Sequence, residues 1–363
     1  MRIIFIILIV STINLSGCTM NQNREHKLVI AHRGASGYLP EHSLAAKAMS
    51  YAMGADYIEQ DVVMTKDNHL IILHDFYLDR VTNVMEVFPK RARNILGEKR
   101  WFAIDFTLSE IKTLRMTEAF TVDKKTKELK ANYPTRFPLF KSNFTVSTLS
   151  DEIELIQGLN HSTRKNIGIY VEIKAPWFHQ HQGKDISQAT LKLLKSYGYK
   201  SHEDKVFVQC FDPDETRRIT EQLMPELAID LPVVQLIAET NWNVTMRVID
   251  GQLLPYNYDW MFENEAMKKI AEYADAIGPW KSMLINDQST STDLIISSMV
   301  NDAHAVGMKV HPYTFRSDEG QIPQYADSFE QLLDLFLYKV GVDGIFTDFP
   351  DKAVEFIRSK ERD

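Results

Sequence analysis

Residues 30–43 read "IAHRGASGYLPEHS", an apolar run that ends in a histidine–arginine pair and then turns through two glycines. A strand buried only for packing has no use for two polar side chains at its last positions. A strand that delivers them to the mouth of a barrel does. Similar apolar runs recur down the chain: "ADYIEQDVVMT", "LIILHD", "NIGIYVEIK", "KVFVQCF", "LPVVQLI", "ADAIGPW", "KVHPYTF" and "GVDGIFTDF". Helical patterns separate them. The first spans Ser43–Met53, and Gly198 and Gly307 stand where helix-ending glycines belong. Strand–helix alternation over about eight units predicts an α/β chain folded as a (β/α)8 TIM barrel. An open doubly wound sheet is the alternative for any such alternation. It is disfavoured because polar residues gather at the carboxyl ends of many strands, where barrel sites are built.

One segment breaks the rhythm. Between His74-Asp75 and "SDEIELIQGL" about seventy residues show no strand–helix repeat, far more than an ordinary connection. Residues 76–147 are therefore expected to form an insertion after the second strand, a small lid or substrate-side subdomain. Thr107-Leu-Ser-Glu110 announces a short helix there through a capping box. The aromatics of "RWFAIDF" and "NYPTRFPLF" argue against a disordered excursion.

Glu59 and Asp61 lie two apart in "YIEQDVVM", so both project from one face of a strand. Carboxylates set side by side repel unless a cation or a shared proton intervenes. "VEIK" adds Glu172, with Lys174 two residues on. Glu59, Asp61 and Glu172 together predict a metal site of hard oxygens, suited to Ca²⁺ or Mg²⁺ and not to zinc. His32 and His74 each end an apolar run, which predicts a general acid and a general base at equivalent strand ends. Arg33 offers a fork for an anion and Lys174 a point charge. Gly34 and Gly37 are expected to let the backbone approach that anion closely. Metal, cations and two imidazoles describe phosphoryl-ester cleavage. His179 and His181 are expected to be a surface pair in a loop after Pro176.

The 363-residue chain carries a formal net charge of -8, which argues against a nucleic-acid partner. Residues 1–17 read as a signal peptide, with the apolar run Ile3–Val10 too short to span a bilayer. "LSGC" resembles a bacterial lipobox, so Cys18 is expected to carry lipid, with residues 18–27 as a linker and residues 28–363 as the barrel. Of the 2 cysteines, that leaves Cys210 without a partner, as a buried, inert thiol.

The motifs "AHRGASGYLPEHS", "ADYIEQDVVMTKD", "LIILHD" and "VEIKAPW" resemble those of bacterial glycerophosphodiester phosphodiesterases, especially their periplasmic, calcium-dependent branch. "IGPW", "VHPYTFR" and "GIFTDFP" extend the likeness to about Ile357. The resemblance implies a barrel with an insertion after the second strand and hydrolysis of small-molecule glycerophosphodiesters to sn-glycerol 3-phosphate and an alcohol. It places catalysis on His32 and His74, Ca²⁺ on Glu59, Asp61 and Glu172, and phosphate contacts on Arg33 and Lys174. Most members have Pro-Glu-Asn-Thr where this chain has Pro40-Glu41-His42-Ser43, and the periplasmic branch shares the histidine. A lipid-anchored protein of the bacterial envelope, periplasmic or surface-exposed, is the implied setting. The alternatives are a surface lipoprotein that binds host proteins, with or without catalysis, and a phospholipase D acting on sphingolipids.

Overall fold

The computed structural model describes residues 26–95, 97–123, 125–250 and 252–362. The expected signal peptide and lipidated Cys18 lie outside them. Parallel strands run in chain order around one barrel: β1 Leu28–Ala31, β2 Tyr57–Met64, β3 Gly168–Ile173, β4 Val206–Cys210, β5 Val233–Leu236, β6 Ala276–Gly278, β7 Lys309–Val310 and β8 Gly344–Thr347. From β1 to β7 each strand pairs with the next in sequence, and β8 pairs with β1. The seam between β7 and β8 is spanned by backbone bonds from Asp343 N to Val310 O (3.0 Å), Phe346 N to Pro312 O (3.0 Å) and Phe315 N to Phe346 O (2.8 Å).

Every residue of β2 is buried, as expected of a parallel strand covered on both faces. Tyr57, Glu59 and Asp61 face the lumen, where Tyr57 packs with Ile30, Tyr170 and Phe346. Ile58, Val62 and Met64 face outward into the main core beneath the helices. The helix Leu44–Met53 begins on Ser43, whose side chain accepts from Ala46 N, and stops at Gly54 in the left-handed region (φ 88°).

The run "LIILHD" is not a barrel strand. Leu70–Ile72 pairs antiparallel with β2, with Val62 opposite Ile72 and Met64 opposite Leu70. The reason is the short connection: Thr65 N bonds His69 O at 2.9 Å and Asn68 turns at φ 65°, whereas a parallel return needs a dozen or more residues. His32 and His74 therefore do not stand at equivalent strand ends.

Residues 76–147 contribute two antiparallel hairpins, Arg93–Ile95 with Glu98–Arg100 and Phe120–Val122 with Leu129–Ala131. They also hold the short helix Leu108–Ile111, and the Thr107–Glu110 capping box is present. Leu78, Val81, Phe106, Ile111 and Met116 form an apolar cluster that closes on Ile71 and Leu73. Arg136 reaches from this segment back over the barrel to Asp318 (2.6 Å) and Asp348 (2.6 Å).

Candidate active site

The parallel register sets Asp61 opposite Glu172, with Glu59 one lumen position earlier on β2. Ligand oxygens of all three lie within 4.8 Å of one another, and all three side chains are buried. Burial, reinforced by Asp61 and Glu172, pushes Glu59 well above the usual carboxylate range. Burial likewise lifts Glu172 to about 7, against the pull of Lys174. Asp61 goes the other way: burial opposes ionisation, but His42 and Lys174 hold it well below that range. Asp61 Oδ1 is buried with no hydrogen-bond partner. A buried acceptor left open beside two carboxyls costs free energy unless a cation meets it. The donor set is all oxygen, and a hard divalent cation fits it.

His32 and His74 flank this cluster. His32 Nδ1 lies 2.6 Å from Asp348 Oδ1, and its Nε2 lies 3.9 Å from Glu59. His74 Nδ1 lies 2.9 Å from Asp75 Oδ1. Each imidazole thus has a carboxylate at Nδ1, which leaves Nε2 for chemistry and supports a proton if one arrives. Burial and Arg33 push His32 down to about 4 despite Asp348. His74 is lowered by burial, Arg33 and Lys174, although 34% of its side chain is exposed.

The two expected anion contacts sit among these groups, each already paired. Arg33 has a positive φ of 60°, its backbone N–H donates to Glu59 at 2.9 Å, and its guanidinium donates to Glu41 at 2.9 Å. Arg33 Nε is buried without a hydrogen-bond partner and faces Asp61 Oδ2 at 3.7 Å. Lys174 Nζ donates to Glu172 at 2.6 Å.

Several residues in the site carried no role in the sequence reading. Lys47 is fully buried, and its ammonium donates to His42 Nδ1 (3.1 Å) and to the Glu59 carbonyl, with Glu152 at 3.2 Å. With Nδ1 accepting, His42 must carry its proton on Nε2, which donates to Asp61 Oδ2 at 2.8 Å. A lysine behind the strand thereby orients a carboxylate in front of it. Gln209 on β4 donates to Glu59 Oε1 at 3.0 Å. Asp348, just past β8, also accepts from Arg316 at 2.8 Å. Arg80 ties Asp75 to Glu41. Asp348 obeys the same rule as His32, a charged residue after an apolar strand in "GIFTDFP", and could have been found by it. Gln209 could have been found as the polar position of "KVFVQCF".

Gly34 and Gly37 answer to packing within the chain. A Cβ at Gly34 would lie 2.8 Å from the Ala46 carbonyl carbon and one at Gly37 would lie 2.5 Å from the Phe349 ring, so close packing on the chain itself requires them. His179 is not in a surface loop. Pro176–His181 is a helix, and His179 within it is fully buried, Nε2 accepting from Met64 N at 3.1 Å. Of the two histidines, His181 is the exposed one. Cys210 is buried, and that burial raises its thiol well above the usual range.

His32, Arg33, Glu59, His74 and Glu172 line one cavity of about 320 Å³. Two further cavities share lining residues with it, one of about 430 Å³ bearing Arg80, Arg136 and Asp348 and one of about 410 Å³ bearing Lys174.

A (β/α)8 barrel whose polar cavity lies at the carboxyl ends of its strands has the architecture of a barrel enzyme. This chain belongs to the glycerophosphoryl diester phosphodiesterase family, whose model matches residues 32–352. It is 47% identical to a glycerophosphodiester phosphodiesterase of Haemophilus influenzae over 354 residues, covering 95% of both chains. It is 39% identical to one of Treponema pallidum, covering 96% of this chain and 95% of the other. The fold is shared with an Oleispira antarctica phosphodiesterase solved in complex with the product sn-glycerol-3-phosphate, at a TM-score of 0.58 and 20% identity over 91% of this chain and 96% of that one. It is shared also with a glycerophosphodiester phosphodiesterase of Agrobacterium tumefaciens, at 0.54 and 18% over 91% and 100%.

Proposed function

We propose that the chain hydrolyses glycerophosphodiesters to sn-glycerol 3-phosphate and an alcohol, with a divalent cation on Glu59, Asp61 and Glu172 and acid–base chemistry on His32 and His74. Family membership and the two close relatives carry the activity. The observation that carries the residue assignment is three buried carboxyls within 4.8 Å of one another on the same cavity as two carboxylate-backed imidazoles.

When bound, the cation polarises the phosphoryl oxygens and offsets charge that builds on them. Arg33 and Lys174 take the non-bridging oxygens, and the anion relieves the repulsion these cations exert on His74. The glycerol hydroxyl next to the esterified carbon attacks phosphorus in a five-membered ring closure, with effective molarity that can reach ~10⁵ M or more. One imidazole takes that hydroxyl proton as the other protonates the departing alcohol. The roles reverse when water opens the cyclic phosphate to sn-glycerol 3-phosphate.

All-oxygen ligands and their number favour Ca²⁺ over Mg²⁺, which demands tighter octahedral geometry. The lipobox-like "LSGC" supports a lipid-anchored enzyme of the bacterial envelope, with residues 1–17 removed, 18–27 as linker, 28–363 as barrel and 76–147 inserted at its mouth. A coupled assay of glycerol 3-phosphate release from glycerophosphocholine tests the activity. Cleavage that vanishes with chelator and returns with Ca²⁺ is expected, and full activity after exhaustive chelation would remove the metal. A Cys18→Ser variant is expected in the soluble envelope fraction; one that still pellets with membranes contradicts the anchor.

A further inference from the structure

Residues 76–147 send two arginines to the carboxylates that back the imidazoles. Arg80 pairs with Asp75, the partner of His74. Arg136 pairs with Asp348, the partner of His32. The second pairing is the more deeply buried, and it ties the insertion to the far side of the barrel mouth.

Arg136 is itself held from several directions, with only 5% of its side chain exposed. Its Nε and Nη2 donate in a fork to Asp318 at 2.9 and 2.6 Å. Nη1 donates to the Ser36 carbonyl at 3.1 Å, and the guanidinium lies over the Tyr133 ring at 3.8 Å. Nη2 also donates to Asp348 Oδ2 at 2.6 Å. Most of its N–H groups are thereby engaged within the protein, which leaves little for a substrate oxygen.

The two oxygens of Asp348 have separate tasks. Oδ1 meets His32 Nδ1 at 2.6 Å, while Oδ2 accepts from Arg136 and, at 2.8 Å, from Arg316. Two guanidinium groups on one oxygen fix the carboxylate plane and so aim the other oxygen at the imidazole. Arg136 also reaches His32 by a second route. Ser36, whose carbonyl it grips, donates its hydroxyl to the His32 carbonyl at 2.7 Å. One arginine thus holds both the partner of the imidazole and the turn that follows it.

We propose that Arg136 is a positioning residue for His32, acting through Asp348 and the turn at Ser36, and that the insertion is through it a working part of the reaction centre. The inference rests on the hydrolytic reading above.

The test measures kcat and KM for glycerophosphocholine with the unaltered enzyme and its Arg136→Ala variant. The same samples, with ¹⁵N-labelled histidine, are examined for the far-downfield proton that a histidine Nδ1–H shares with a carboxylate. Arg136→Ala is expected to lower kcat by about 10²-fold, as a displaced reacting group does, with KM nearly unchanged and that proton lost. Millimolar guanidinium ion is expected to restore part of both. Arg136→Lys, which keeps the charge but not the fork, should fall between, and it carries the test if the alanine variant does not fold. In an Asp348→Asn background the loss of Arg136 should cost little more. A loss confined to KM, or losses that multiply in the double variant, overturns the proposal. The proton signal separates the two readings. Its loss in Arg136→Ala, with no ester cleaved by any form, sinks the hydrolytic reading and keeps the brace. Cleavage by the unaltered enzyme, with kcat and the proton both unchanged in the variant, does the reverse.

Discussion

The two halves of the site are held by different means. Glu59, Asp61 and Glu172 project from adjacent parallel strands whose ladder sets their spacing, Asp61 opposite Glu172. His74, Asp75 and Arg80 follow an antiparallel strand of three residues, and ion pairs position them: Asp75 to His74 and Arg80, and Arg80 to Glu41. Backbone pairing fixes where each carboxylate leaves its strand, and His42, backed by Lys47, and Gln209 hold the oxygens of Asp61 and Glu59. The acid–base half depends on each member of a charge network. Loss of one partner leaves another charge unpaired in a partly buried place. Damage should therefore spread differently through the two halves.

The largest effect is expected at the imidazoles. His32→Ala and His74→Ala should each lower kcat by about 10²-fold or more, with the folded state retained by circular dichroism. A loss confined to KM would show that the histidines bind and do not transfer protons. Next come the residues behind the metal half. Lys47→Met and His42→Leu should weaken Ca²⁺ binding about 10–100-fold, as lost outer partners of a metal ligand do. His42→Gln, which can still donate to Asp61, should recover part of it. Unaltered Ca²⁺ affinity in all three would confine Lys47 to packing. On the other half, Arg80→Met should lower kcat about tenfold while leaving Ca²⁺ affinity intact. If it weakened the metal as well, the two halves would not be separable.

The smallest effect concerns stability. Glu118 is buried, and burial reinforced by Glu41 lifts its carboxyl to about 8, one oxygen having no hydrogen-bond partner. Its folded state binds more protons than the unfolded state between the ordinary carboxylate value and about 8, so stability falls as pH rises through that window. Glu118→Gln should raise the melting midpoint by a few degrees at pH above 8 and change it little at pH 4. An equal gain at both values would point to packing and not to charge.

The barrel and the carboxyl cluster were legible because each rests on a period. Alternation in "YIEQDVVM" and "VEIK" places Glu59, Asp61 and Glu172 on lumen faces, and parallel pairing brings the strands together. The position of His74 was legible only as the end of an apolar run. "LIILHD" looks like any buried strand, and the turn at Asn68 that reverses it depends on a backbone conformation the pattern does not display. Pro176 suggests a loop around His179, but proline also opens helices at their first position, as it does in Pro176–His181. Lys47 and Glu152 were invisible for another reason. A lysine on a helix reads as a solvated residue, and only tertiary packing shows that its ammonium is fully buried against the back of β2. Asp348 and Gln209 were within reach of the rule that found His32.

The central claim, that Glu59, Asp61 and Glu172 hold a cation the reaction requires, is tested most directly by calorimetric titration of Ca²⁺ into metal-stripped protein and its Asp61→Asn variant. Glycerol 3-phosphate release would be measured on the same samples. One site per chain is expected in the unaltered protein, weakened about 10²-fold or more in the variant, with activity following occupancy. Equal Ca²⁺ affinity in the two proteins, or full activity with the site empty, would contradict it.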